Sequence, residues 1–184
     1  MADKIVPSIK RGTFKDPAIP RKRLITDKVQ FFEGIPLPSM VEISESGTCN
    51  RLCSFCPRSD PSYPNVQEFI KPELIEKLSK QLAGKGFEGL VVFSGFVEPM
   101  LDKNIYSLIK IVRRELPACR IEMVTNGDAI NSKNLRNLFA SGLTTILISV
   151  YDGPGDAAKF EQLCIREGLT AEQFVIRHRY LPEE

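Results

Sequence analysis

What the chain lacks narrows its class. No apolar run in its 184 residues approaches the roughly 18 that a membrane span needs. The opening Met1-Ala-Asp-Lys-Ile-Val-Pro7 has no apolar segment of a secretory signal, which points to a cytoplasmic protein. Neither charge sign dominates. Against 25 Lys and Arg stand 23 Asp and Glu, and a net charge of +2 argues against a nucleic-acid binder driven by bulk electrostatics. Disorder is excluded as well, because 42% hydrophobic residues suffice for a sizeable core. At roughly 100 to 200 residues per domain, the length suits one domain and hardly two.

The charge is uneven along the chain. Residues 1–30 hold eight basic and three acidic side chains, so the remainder is slightly acidic. Pro7, Pro17, Pro20, Pro36 and Pro38 interrupt any periodic pattern there, and Arg21-Lys22-Arg23 cluster. Residues 1–38 are therefore expected to form a basic, proline-containing arm that is solvated and loosely packed. The domain proper is expected to span residues 39–184.

Past Pro38 the pattern alternates between strand and helix. Met40–Ile43, Leu90–Phe93, Ile121–Thr125, Thr145–Val150 and Phe174–Ile176 read as strands. Leu74, Ile75, Leu78 and Leu82 give the first helical face, opened by Pro72 and closed by Gly84. A second helix carries Ile105, Leu108, Ile109, Val112 and Leu116, with Asp102 as its cap and Pro117 as its stop. Leu135, Leu138 and Phe139 mark a third, ended at Gly142, and Phe160 and Leu163 a fourth. Strand–helix alternation of this kind predicts right-handed βαβ units and a parallel sheet. Helix-covered parallel sheets place their sites on loops after the carboxyl ends of strands.

Cysteine is scarce and lopsided. Cys49, Cys53 and Cys56 fall within eight residues, while Cys119 and Cys164 stand alone and are expected to be inert. An odd total in a reducing compartment argues against a disulfide framework. The spacing C-x3-C-x2-C lies just after the first strand. Thiolates are natural ligands of iron–sulfur clusters, and three ligands for four irons leave one iron open to a substrate or cofactor. A zinc knuckle with Cys119 or Cys164 as fourth ligand is the other metal reading, although zinc sites usually pair two CxxC motifs and no second pair is present. Chance clustering is the third.

Cys49-x3-Cys53-x-Phe55-Cys56 resembles the signature of the radical S-adenosylmethionine (radical SAM) superfamily, including the aromatic residue before the last cysteine. The resemblance implies a [4Fe–4S] cluster on Cys49, Cys53 and Cys56, with SAM on the fourth iron and Phe55 near its adenine. Later loops extend the likeness. Ser94-Gly95-Phe-Val-Glu98-Pro99 resembles the stretch that receives the SAM amino group, so Glu98 is implied as its carboxylate and Gly95 as backbone support. Asn126, in Thr125-Asn126-Gly127, matches the turn near the methionyl and ribose parts, and an Asn-Gly turn alone would explain it equally. Ser149 and Asp152 match positions that contact the ribose. Arg177, His178 and Arg179 follow the fifth strand, where they could face a substrate anion or the SAM carboxylate, and the histidine reads rather as a polar strand-end residue.

The implied fold is α/β, a partial (β/α) barrel of parallel strands, with five strands counted where the superfamily has six. The chain is therefore expected to stop before the last strand. Val175–Tyr180 resembles the run that precedes a cysteine-rich SPASM-type extension in relatives. The implied activity is reductive cleavage of SAM to a 5′-deoxyadenosyl radical that abstracts hydrogen from a substrate. The substrate would be a small molecule, sugar or peptide, and the one-electron donor a flavodoxin or ferredoxin. A binding module that holds cluster or SAM without turnover is the alternative. On that expectation a chain lacking its sixth strand binds the cluster but cleaves SAM slowly and without coupling to substrate.

Overall fold

The computed structural model describes residues 29–64 and 66–180. The basic stretch Arg21-Lys22-Arg23 and most of the expected arm lie outside them. The arm's last ten residues contain a small hairpin of β1 (Phe31–Phe32) and β2 (Ile35–Pro36), paired antiparallel. It rests on the turn before the second strand of the main sheet. The Lys85 ammonium lies 3.9 Å from the Phe32 ring centre, and the Glu88 N–H donates to the Gln30 side chain at 2.9 Å.

The main sheet has strands β3 (Met40–Ile43), β4 (Leu90–Phe93), β5 (Arg120–Thr125), β6 (Thr145–Val150) and β7 (Phe174–His178). They lie in sequence order and all pair in parallel. Helices α1 (Pro72–Ala83), α2 (Ile105–Glu115), α3 (Ser132–Ala140) and α4 (Pro154–Arg166) alternate with them. This is the expected partial barrel. Among the described residues β3 and β7 each have a strand neighbour on one side only. No helix there is long and apolar enough to cross a membrane.

Alternation along each strand divides the sheet into two faces. Ile43, Val91, Phe93, Ile121, Met123, Ile146 and Ile148 pack against Ile75, Leu108, Ile109, Val112, Leu135 and Phe160 of the helices in one core. Cys164 and Cys119 belong to that core, and burial pushes both thiols up to about 11, away from the range of a reactive thiolate. Two local expectations are corrected. Leu74 is 54% exposed, since the buried stripe of α1 runs through Ile75 and Ser79. Asp102 does not occupy the cap position of α2. Asn104 does, and Asp102 precedes it, taking the Asn104 N–H on its carboxylate at 2.8 Å.

Candidate functional site

The opposite face of the sheet lines a cavity of about 680 Å³ that opens at the carboxyl ends of the strands. Cys49, Cys53, Cys56, Phe55, Gly95, Glu98, Asn126 and Ser149 all border it. They come from four separate strand ends, so topology alone has gathered residues up to 100 positions apart. Asp152 is the exception among the site candidates. It borders a neighbouring pocket of about 150 Å³, and its carboxylate faces Arg51. Of the cluster at the end of β7, Arg177 and Arg179 line the main cavity, whereas His178 turns outward to Tyr180 at 2.6 Å.

The three thiols of the loop are free and half-buried. Burial pushes the Cys53 thiol up, the neighbouring Cys49 and Cys56 add to that, and Arg51 opposes it. Three soft donors close enough to repel one another as thiolates are a donor set that a cationic iron–sulfur group relieves. No three His, Cys, Asp or Glu side chains among the described residues converge as a single-ion site. A cube needs no such convergence, because each thiolate binds a different iron. The donors therefore fit a cluster. Asn126 Nδ2 and the Arg51 N–H approach Cys49 Sγ at 3.9 and 3.5 Å, so the first sulfur already has hydrogen-bond donors beside it.

Glu98 follows β4 and is 2% exposed. Its Oε1 accepts from the Thr125 hydroxyl at 2.6 Å and the Met100 N–H at 3.0 Å, and its Oε2 accepts from the Asn126 N–H at 2.7 Å. Burial pushes its carboxyl up, and these three bonds hold it back. A carboxylate has about four acceptor sites. The remaining one on Oε2 can take an ammonium. Its Glu98 N–H meanwhile donates to the Thr48 carbonyl at 3.0 Å, tying this loop to the start of the cysteine loop. Gly95 sits at φ +132°, and a Cβ there would overlap Ser44 Oγ, so only glycine permits this approach of the β4 loop to β3. Gly127, at φ +84°, likewise leaves no room, since a Cβ would press on Phe160 at 2.6 Å.

Several contributors escaped sequence reasoning. Arg58, nearly buried, donates to the Gly47 carbonyl at 2.8 Å and lies over the Tyr63 ring, holding the far end of the cysteine loop. Tyr151 stacks on Phe55 with ring centres 5.8 Å apart. Glu45, just after β3, is fully buried. Its Oε2 has no hydrogen-bond partner among the described residues, and its carboxyl is pushed up to about 8 by burial and then by the charges of Asp102 and Glu98. Glu42 and Glu122 line the cavity floor in one register row across Val92. The period-2 pattern of their strands could have flagged these last two as inward-facing.

Comparison with known proteins agrees with this geometry. The model of the radical SAM superfamily matches residues 43–175, well over half the chain. The S-adenosyl-L-methionine-dependent 2-deoxy-scyllo-inosamine dehydrogenase of Niallia circulans is 30% identical over 115 residues, covering 62% of this chain and 46% of that protein. The GTP 3′,8-cyclase of Rhizobium meliloti (strain 1021) is 26% identical over 126 residues, covering 67% of this chain and 35% of the enzyme. The chain thus spans less than half the length of these curated relatives. Among solved structures, BtrN in complex with AdoMet and 2-DOIA superposes with a TM-score of 0.68 at 28% identity, covering 78% of this chain and 57% of BtrN.

Proposed function

Since the chain belongs to the radical SAM superfamily, whose members are enzymes that use a [4Fe–4S] cluster and SAM, we propose that Cys49, Cys53 and Cys56 hold that cluster at the cavity mouth and that SAM binds beside it. The observation that carries this is that the three thiols and the buried Glu98 line one cavity. When bound, the pair supplies one-electron cleavage of SAM and a 5′-deoxyadenosyl radical for hydrogen abstraction.

The chain's own residues have distinct tasks. Glu98 offers the free acceptor site of Oε2 to the SAM ammonium, a charge-assisted contact in a dry setting. Thr125 and the Asn126 N–H aim that carboxylate and oppose the upward push of burial on it. Phe55 and Tyr151 present an apolar stack to the adenine, and Ser149 lines the same cavity. Beneath them Glu42, Glu122, Arg177 and Arg179 give the cavity charged walls of both signs. Such walls suit a small polar substrate, the class that includes 2-deoxy-scyllo-inosamine and GTP, over an apolar one. A flavodoxin or ferredoxin would deliver the electron at the exposed outer side of the cysteine loop, where Leu52 protrudes.

The test is anaerobic reconstitution of the chain followed by metal analysis, SAM titration and chromatography after chemical reduction. About four irons with matching sulfide per chain are expected, together with SAM binding and release of 5′-deoxyadenosine. Zinc without iron would overturn the reading.

A further inference from the structure

Asn50 and Arg51, between the first two cysteines, carry the densest polar bonding of the site. Arg51 Nε donates to Asp128 Oδ2 at 2.8 Å and its Nη1 to Asp152 Oδ1 at 3.0 Å, while Nη2 reaches the second oxygen of both carboxylates. Its guanidinium carbon lies 5.4 Å from the Tyr151 ring centre. Asn50 Nδ2 donates to Asp128 Oδ2 at 2.7 Å, and its Oδ1 accepts from Asn126 Nδ2 at 2.7 Å. Asp128 follows β5 and Asp152 follows β6. One side chain thus ties the middle of the cysteine loop to two strand ends.

Apolar packing holds this loop only lightly, because Leu52 and Phe55, its large apolar residues, are 76% and 67% exposed and Phe55 makes a single ring stack on Tyr151. The planar guanidinium can fork to two carboxylates at once, which an ammonium cannot. We propose that Arg51 is the positioning residue of the cysteine loop, with Asp128 and Asp152 as its two anchors, so that Asp152 serves the loop and not the SAM ribose. The arrangement sets where the three sulfurs stand relative to Glu98 and Asn126. It rests on the reading of the cysteine triad as cluster ligands, and only its consequences for iron and SAM depend on that reading. Arg51 holds both carboxyls below their ordinary values through these same bonds.

The test compares the full chain with Arg51→Gln, Arg51→Lys and Asp152→Asn in three measurements. In the cluster-free chain, hydrogen exchange over residues 49–57 should quicken about tenfold in Arg51→Gln, with exchange in the β4–β6 core unchanged. After reconstitution, Arg51→Gln should hold severalfold less iron, and its reduced cluster should lose the change in electron paramagnetic resonance that SAM causes in the parent chain. Arg51→Lys should recover iron only in part. Asp152→Asn should weaken SAM binding in the parent chain but add nothing to Arg51→Gln. Unchanged exchange over 49–57 in Arg51→Gln would overturn the latch even if the parent chain took up no iron. A further loss of SAM affinity when Asp152→Asn is added to Arg51→Gln would return Asp152 to the ribose. A parent chain without iron, combined with quickened exchange, would sink the cluster reading and leave the latch standing.

Discussion

Val91 and Phe93 of β4, Ile121 and Met123 of β5, and Ile146 and Ile148 of β6 are sealed against helices. Their immediate neighbours Val92, Glu122, Val124, Leu147 and Ser149 border an open cavity. The two faces are interleaved residue by residue, yet one is continuous apolar core and the other is mixed and partly charged. Closed (β/α) barrels of eight strands fill the interior with side chains. Here five strands leave room inside, and the cavity takes the place of an inner core. Stability and binding are thereby assigned to alternate positions, so substitutions one residue apart should fail in different ways.

The largest expected contrast is between two cysteines. Cys53→Ala should abolish the cluster and its colour after reconstitution, because the loop has no spare thiol. Cys164→Ala, on the helix side, should keep full iron and lose only some thermal stability. Equal loss of iron in both variants would mean that the two faces are not independent.

Next comes Glu98→Gln. Gln keeps the shape but replaces one acceptor oxygen with a donor, which faces the Asn126 N–H and cannot meet an ammonium. A hydrogen bond to a charged group contributes about 1.5 to 3 kcal/mol, so SAM affinity should fall roughly ten- to a hundredfold with iron content nearly intact. Calorimetric titration checks it. Unchanged affinity would remove Glu98 from SAM recognition and leave it as a brace between β4 and β5.

How much of this was legible in the sequence follows the same division. The strands of the main sheet, its four described helices and the cysteine triad were legible because hydrophobic period and local spacing are short-range signals, whereas the partial barrel was implied by the family resemblance. Thr145–Val150 matches to the residue, and Phe174–Ile176 merely runs on to His178. The hairpin in residues 31–36 was not, since Pro36 and Pro38 masked two very short strands. Asp102 misled because a carboxylate near a helix start can bond one N–H without occupying the cap. Arg51, Asp128 and Glu45 carry no local signal at all. Their partners are supplied by loops 77 to 101 residues away, or by burial, and only the fold brings those together.

A smaller contrast compares one residue type on the two faces. Val91→Ala removes two buried methyl groups from the helix side and should cost about 2 kcal/mol in urea unfolding. Val124→Ala removes the same groups from the cavity wall, where water can fill the space, and should cost clearly less. Equal costs would show that the inner face is a packed core after all.

The last contrast concerns Glu45, a polar group buried at the border of the two regions. Its carboxyl is raised from the ordinary 4.5 to about 8, by burial first, with Asp102 and Glu98 adding to it and its own backbone N–H and Ser46 opposing. In the folded chain it is therefore protonated below about 8, whereas in the unfolded chain it ionises near 4.5. Between those values the folded state keeps a proton that the unfolded state releases. Its contribution to stability is full below about pH 4.5 and declines as pH rises to about 8, by at most about 1.4 kcal/mol per pH unit. Burial raises Asp102 and Glu98 in the same direction, so the informative quantity is the difference between the parent chain and Glu45→Gln. Gln preserves the shape and cannot ionise. Urea midpoints of the parent chain should fall from pH 5 to pH 8, and those of Glu45→Gln should fall less steeply. Parallel slopes would place Glu45 in contact with water and return it to the solvated side of the molecule.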